Sequence, residues 1–216
     1  ASGIPFYVCP GTSSWQSLSG RTDNALANNL SAAENGLKHG AIGFLNTDWG
    51  DRGHWQMLPI SFLPFAAGAA YSWCVSSNRD LDIARAASIY AFEDASGRMG
   101  RLAFDLGNIH QPIGQHYRNS NVLFRLLQTP LADIPTRYPG LKRADLRRVL
   151  ARLDKTMHGL DDCWLARPDG DLIKAEFALT ARLLRHACKR GLLALDRGDQ
   201  AALRRELDLD MLACIQ

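Results

Sequence analysis

Two short runs rich in β-branched and aromatic residues, 4–9 (I-P-F-Y-V-C) and 41–47 (A-I-G-F-L-N-T), flank a single segment of helix length. Each run is apolar almost throughout and bounded by Pro or Gly, the pattern of a buried strand. Between them, residues 23–40 place Ala25, Leu26, Leu30, Ala33 and Leu37 at helical spacing. Thr22 or Asp23 can cap the start of that helix, and Gly36 and Gly40 mark its end. Two strands joined by one crossover helix pair in parallel. Parallel strands need cover on both faces, and a pair of them leaves both edges open. The expectation is therefore a small parallel βαβ unit that cannot stand alone.

Past residue 78 the pattern is helical. Residues 79–92, 99–109, 121–128, 141–165, 172–195 and 200–214 each carry apolar residues near a 3.6-residue period. In 141–165, Leu146, Val149, Leu150, Leu153, Met157 and Leu160 form one stripe, while Lys142, Arg143, Arg147, Arg148, Arg152 and Lys155 occupy the other faces. Asp145 and Asp154 interleave with the cations, so this reads as a solvated outer face. The predicted fold is mainly α with a small parallel βαβ unit, divided into residues 1–77 and 78–216.

Composition narrows the class. Of 216 residues, 46% are hydrophobic and 22% charged, enough apolar content for a core and too much for intrinsic disorder. A net charge of +3 gives no argument for nucleic acid. Cys9, Cys74, Cys163, Cys188 and Cys214 are odd in number and scattered, which excludes a small disulfide scaffold. They read as reduced thiols in a reducing compartment such as a bacterial cytoplasm. Residues 57–75 carry no charge, but Pro59, Ser61, Pro64, Gly68 and Ser72 interrupt them, so a buried helix start is expected there and no membrane span. Residues 1–10 lack the basic n-region of a signal peptide.

In parallel α/β folds the carboxyl ends of the strands carry the chemistry. Here those ends are Pro10 to Trp15 and Asp48 to Trp55. The second holds Asp48, Trp49, Asp51, Arg52, His54 and Trp55, with Gly50 and Gly53 for tight backbone. An indole face stacks on the C–H face of a sugar while neighbouring carboxylates accept its hydroxyl protons. Asp48, Asp51 and His54, spaced three apart, equally form an O,O,N set for a divalent ion, as a metal-dependent hydrolase would use. Arg21 and Asn24 follow the first strand end closely enough to reach a ligand at the same rim. No G-x-S-x-G elbow and no Gly-rich phosphate loop occurs. A third reading gives the work to residues 78–216 as a non-catalytic helical interaction module.

Residues 6–15 (F-Y-V-C-P-G-T-S-S-W), 20–25 (G-R-T-D-N-A) and 43–55 (G-F-L-N-T-D-W-G-D-R-G-H-W) together resemble the end of the catalytic barrel in family 20-like glycoside hydrolases, the β-N-acetylhexosaminidases. The resemblance implies that the two strands are the last two of a (β/α)8 barrel followed by a helical region. It implies hydrolysis of a terminal β-linked N-acetylhexosamine by a substrate-assisted, retaining route. Trp49-Gly50-Asp51 matches the family's Trp-x-Glu pocket wall with Asp for Glu. On this basis Trp49 would stack on the sugar, Asp48 and Asp51 would bind hydroxyls, and Arg21, His54 and Trp55 would shape the rim. Tyr7 matches the family's acetamido-binding Tyr, although Cys9 stands where the family has Asp. Trp15 closes the first strand-end segment and joins the same binding set.

The family's general acid is the Glu of an Asp-Glu pair on a mid-barrel strand, and this chain contains no Asp-Glu dipeptide. The resemblance therefore implies the C-terminal part of a longer glycosidase, inactive alone, with no metal or cofactor. Its partners would be an amino-sugar glycoside and either the rest of the barrel or another copy of itself.

Overall fold

The computed structural model describes residues 3–196 together with 201, 204, 205, 207–209 and 211. It is mainly helical with one two-stranded parallel sheet. β1 (Tyr7–Val8) and β2 (Gly43–Phe44) pair in the register Tyr7↔Gly43 and Val8↔Phe44, joined by α1 (Thr22–His39). Bonding continues beyond the strands: Ile42 N donates to Phe6 O, Leu45 N to Val8 O and Thr47 N to Pro10 O, each at 2.9 Å. α1 ends where Gly40 adopts φ 72°, a left-handed cap that costs glycine nothing.

The remaining helices are α2 (Phe62–Trp73), α3 (Val75–Asn78), α4 (Ile83–Ala86), α5 (Met99–Gly107), α6 (Val122–Gln128), α7 (Ile134–Arg137), α8 (Arg143–Met157) and α9 (Gly170–Ala194). α2 packs on α1, while α9 packs on α8 and α6. One continuous core runs from Leu18 through Leu63, Phe92, Met99 and Phe124 to Phe177 and Cys188. At its centre Phe92 meets Phe177 edge-on, with centroids 5.9 Å apart. Gly100 on α5 lies so close to the backbone of α4 that a Cβ would overlap the Ala84 carbonyl.

Burial of the strands departs from expectation. Val8 and Phe44 turn toward the helices: Val8 touches Gly36 of α1, and Phe44 packs against the core. On the opposite face Tyr7, Leu45 and Cys9 are exposed, although the apolar runs read as buried strands; Ile4, Phe6 and Ile42, just before the strands, are exposed as well. Among the described residues α1 is the helix that packs on both strands, and the other face stays bare. Cys9, Cys74, Cys163 and Cys188 are all free.

Two helix boundaries also differ. The helix predicted over 79–92 starts late: 79–82 are not helical, and Asp82, accepting from Arg85 N at 3.0 Å, caps α4. α4 then loosens into a π-helical turn over Ala87–Ala91. The helix predicted over 141–165 ends at Met157, just before His158 and Gly159. That predicted over 200–214 lies largely outside the described residues. The uncharged 57–75 stretch opens with a 3-10 turn, Leu58–Ser61, and continues as α2. Among the described residues no helix is long and apolar enough to cross a membrane.

Candidate functional site

The two strand-end segments meet. Gly11 and Thr47 form a parallel bridge past the strands, and Thr12 N donates to Thr47 O at 2.9 Å. Gly11 is required there, because a Cβ would sit 2.6 Å from the Trp15 ring. Beyond the bridge, Asp48 is the knot. Its Oδ1 accepts from the hydroxyls of Thr12 and Ser61, the latter at 2.9 Å, and its Oδ2 lies 3.3 Å from His54 Nε2. Gln56 Nε2 donates to Ser61 Oγ at 2.8 Å, extending the network into the start of α2. One carboxylate thus fastens the first strand end, the second strand end and the turn into α2.

The same knot fixes the Trp49 loop. Ser14 Oγ donates to Trp49 O at 2.8 Å, and the His54 side chain lies against Gly50 where any Cβ would collide. The Trp49 side chain is left 61% exposed. Asp51 stands beside it in sequence, exposed, on the turn in which Arg52 and Gly53 both take positive φ. Backbone anchoring below and an open indole above make a fixed apolar platform, with Asp51 exposed two residues further along the chain.

The other predicted residues divide. The Trp55 indole lies against Gly53 of this loop and edge-on to Phe124 of α6 at 5.9 Å, so it is an anchor as much as a rim residue. Tyr7 lies flat across Gly43 on the bare sheet face, where a Cβ would overlap its ring. Trp15 is half-buried, with the Arg21 guanidinium 5.0 Å from its ring centroid. Arg21 itself is only 9% exposed. Ser13, in the same loop, is wholly buried and held at φ 64°, its Oγ accepting from Asn24 Nδ2 at 2.6 Å. The O,O,N metal set does not form: Asp48 and His54 meet, Asp51 stands outside, and no metal-binding group of three or more His, Cys, Asp or Glu exists among the described residues.

Sequence reasoning missed two features. The hydroxyls of Thr12 and Ser61 complete the Asp48 knot; only the Thr-Ser-Ser run after β1 hinted at them. Asp94 is 5% exposed and accepts from the N–H groups of Ser96, Arg98, Met99 and Trp164. Burial opposes its charge, but these donors and the Ser96 hydroxyl outweigh burial and hold the carboxyl below its ordinary range. It starts α5 and ties in the segment before α9, a structural role. Comparison of the chain with family models, with curated proteins and with solved structures finds no match.

Proposed function

We propose that the strand-end rim is part of the sugar-binding wall of a glycoside hydrolase of the β-N-acetylhexosaminidase type. The observation that carries the reading is Trp49: a largely exposed indole held on a backbone that Asp48, Ser14 and His54 fasten from below. A largely exposed tryptophan on a fixed backbone is what a pyranose face needs, since its C–H groups stack on a ring already held in place. Asp51 then accepts from sugar hydroxyls. Asp48 already has two hydroxyl donors and His54, so its part is to position Trp49, not to hold sugar.

The bare sheet supports the same reading. Tyr7 and Leu45 are uncovered on the face opposite α1, as they would be if further parts of a barrel belonged against them. In this reading the general acid and the group that orients the acetamido arm come from outside these residues. Saturation-transfer NMR with a chromogenic N-acetyl-β-glucosaminide tests it. The expected result is saturation of the pyranose C–H protons by the chain with no release of chromophore. Absence of transfer overturns sugar binding, and turnover by the chain alone overturns the assignment of the acid elsewhere.

A further inference from the structure

A cavity lies at the start of α1. It has a volume of about 670 Å3 and is lined by Arg21, Asn24, His110, His116, Tyr117 and Arg118, with Asp23 at its acidic side. That volume falls within the range of small-ligand sites. Its lining is mostly donors and cations, and Asp23, the one acid in it, is already engaged: Asn108 Nδ2 donates to its Oδ1 at 2.7 Å and Gln111 Nε2 to its Oδ2 at 2.8 Å.

Arg21 is the group that needs explaining. It is more than nine-tenths buried, and its Nε and Nη2 find no hydrogen-bond partner among the described residues. Burial pulls its pKa down to about 10, so it remains a cation at neutral pH. The Trp15 ring offers attraction to that charge but only a weak acceptor for its N–H groups. A buried guanidinium without a carboxylate is expensive unless something anionic completes it. Next to it, His110 Nδ1 is also buried without a partner. Burial, then the charges of Arg21 and His116, push the His110 pKa down to about 4, leaving a neutral imidazole able to donate one N–H.

We propose that this cavity binds a small oxyanion, held by the Arg21 guanidinium and His110, with His116 and Arg118 at its mouth. Oxyanions pair with guanidinium through parallel charge-assisted bonds, and such a group satisfies the unpartnered donors together. Two sources share this chemistry: inorganic phosphate and the carboxylate of an acidic sugar. The inference is independent of the sugar-wall reading, since it uses neither Trp49 nor Asp51.

Calorimetric titration of the whole chain with phosphate, and separately with glucuronate, at low ionic strength tests it. The expected result is saturable binding of at least one anion, weakened about tenfold or more in Arg21→Gln, a loss of about 1.4 kcal/mol; the anion that binds identifies the source. If Arg21→Gln fails to fold, the exposed-rim variant Arg118→Gln takes its place, with about threefold weakening expected from loss of one charge at the mouth. In the unaltered chain, the anion should also shift the His110 imidazole NMR signals. No saturable binding of either anion overturns the proposal. So does unchanged affinity in a folded Arg21→Gln, or His110 signals unmoved at saturation.

Discussion

Replacing Asp48 with alanine removes the one acceptor shared by Thr12, Ser61 and His54. The Thr12 and Ser61 side chains are wholly buried, so neither hydroxyl can turn to bulk water. Leaving a buried polar group unsatisfied costs about 1–3 kcal/mol, so two such groups set a ceiling of about 6. Thr12 has a partial escape, because Ser14 Oγ lies 3.2 Å away. His54 is 40% exposed, and its pair with Asp48 contributes no more than about 1 kcal/mol. The expected loss for Asp48→Ala is therefore about 2–4 kcal/mol of unfolding free energy, after allowing for the Thr12 escape. Asp48→Asn keeps an oxygen in place for both hydroxyls and gives up only the charge, so about 1 kcal/mol is expected. Urea denaturation at neutral pH, with slopes compared to confirm a common unfolded state, reads both values. Equal losses for the two variants, or a loss under about 1 kcal/mol for Asp48→Ala, would refute the shared-acceptor account.

Other consequences follow from single residues. Asp94→Ala strips the donors at the start of α5 and the Trp164 N–H of their acceptor, and should cost about 3–5 kcal/mol in the same assay. Because the folded pKa of Asp94 lies below its ordinary 3.8, its contribution is present above that pH and is lost as pH falls through the folded value. Acid titration of Asp94→Asn should accordingly show a shallower fall in stability below that pH than the parent; parallel curves would contradict the assignment. Gly100→Ala forces a Cβ into the Ala84 carbonyl and should destabilise by about 3 kcal/mol, seen as a lowered Tm, since backbone cannot yield as a side chain does. Trp49→Ala, by contrast, should leave Tm within a degree or two, because so little of the ring is buried.

The parts of this fold that could be read from sequence are those set by neighbours along the chain. The β1–α1–β2 unit announces itself through two apolar runs and a helical stripe closed by Gly40, and the parallel register follows from the crossover. α9 was legible for the same reason, its apolar spacing running unbroken to Ala194. Where the spacing overran the structure, a local hydrogen bond or a weak helix former sets the limit: Asp82 caps α4, which starts four residues inside the predicted span, and α8 stops before Gly159. The bare face of the sheet was not legible, since an apolar run looks the same whether or not something covers it.

The site divides along the same line. Trp49 and its carboxylate neighbours stood out because they crowd one short segment. The bonds that organise them cross long stretches of chain: Thr12 reaches Asp48, and Asp94 reaches Trp164 over a separation of 70 residues. Periodicity carries no information at such distances. Arg21 was visible as a basic residue near a strand end, but its burial against Trp15 and its closeness to His110 exist only in three dimensions.

The proposed function rests on Trp49 as a sugar platform. The most direct measurement is a titration of the chain with N-acetylglucosamine through the millimolar range, followed by the indole N–H signals of its tryptophans in a nitrogen-15 correlation spectrum. Trp49 is assigned by the signal lost in Trp49→Ala. The account predicts a saturable shift of the Trp49 signal, with that of Trp164, also largely exposed, unmoved. A Trp49 signal that stays in place, or moves no more than that of Trp164, would contradict it.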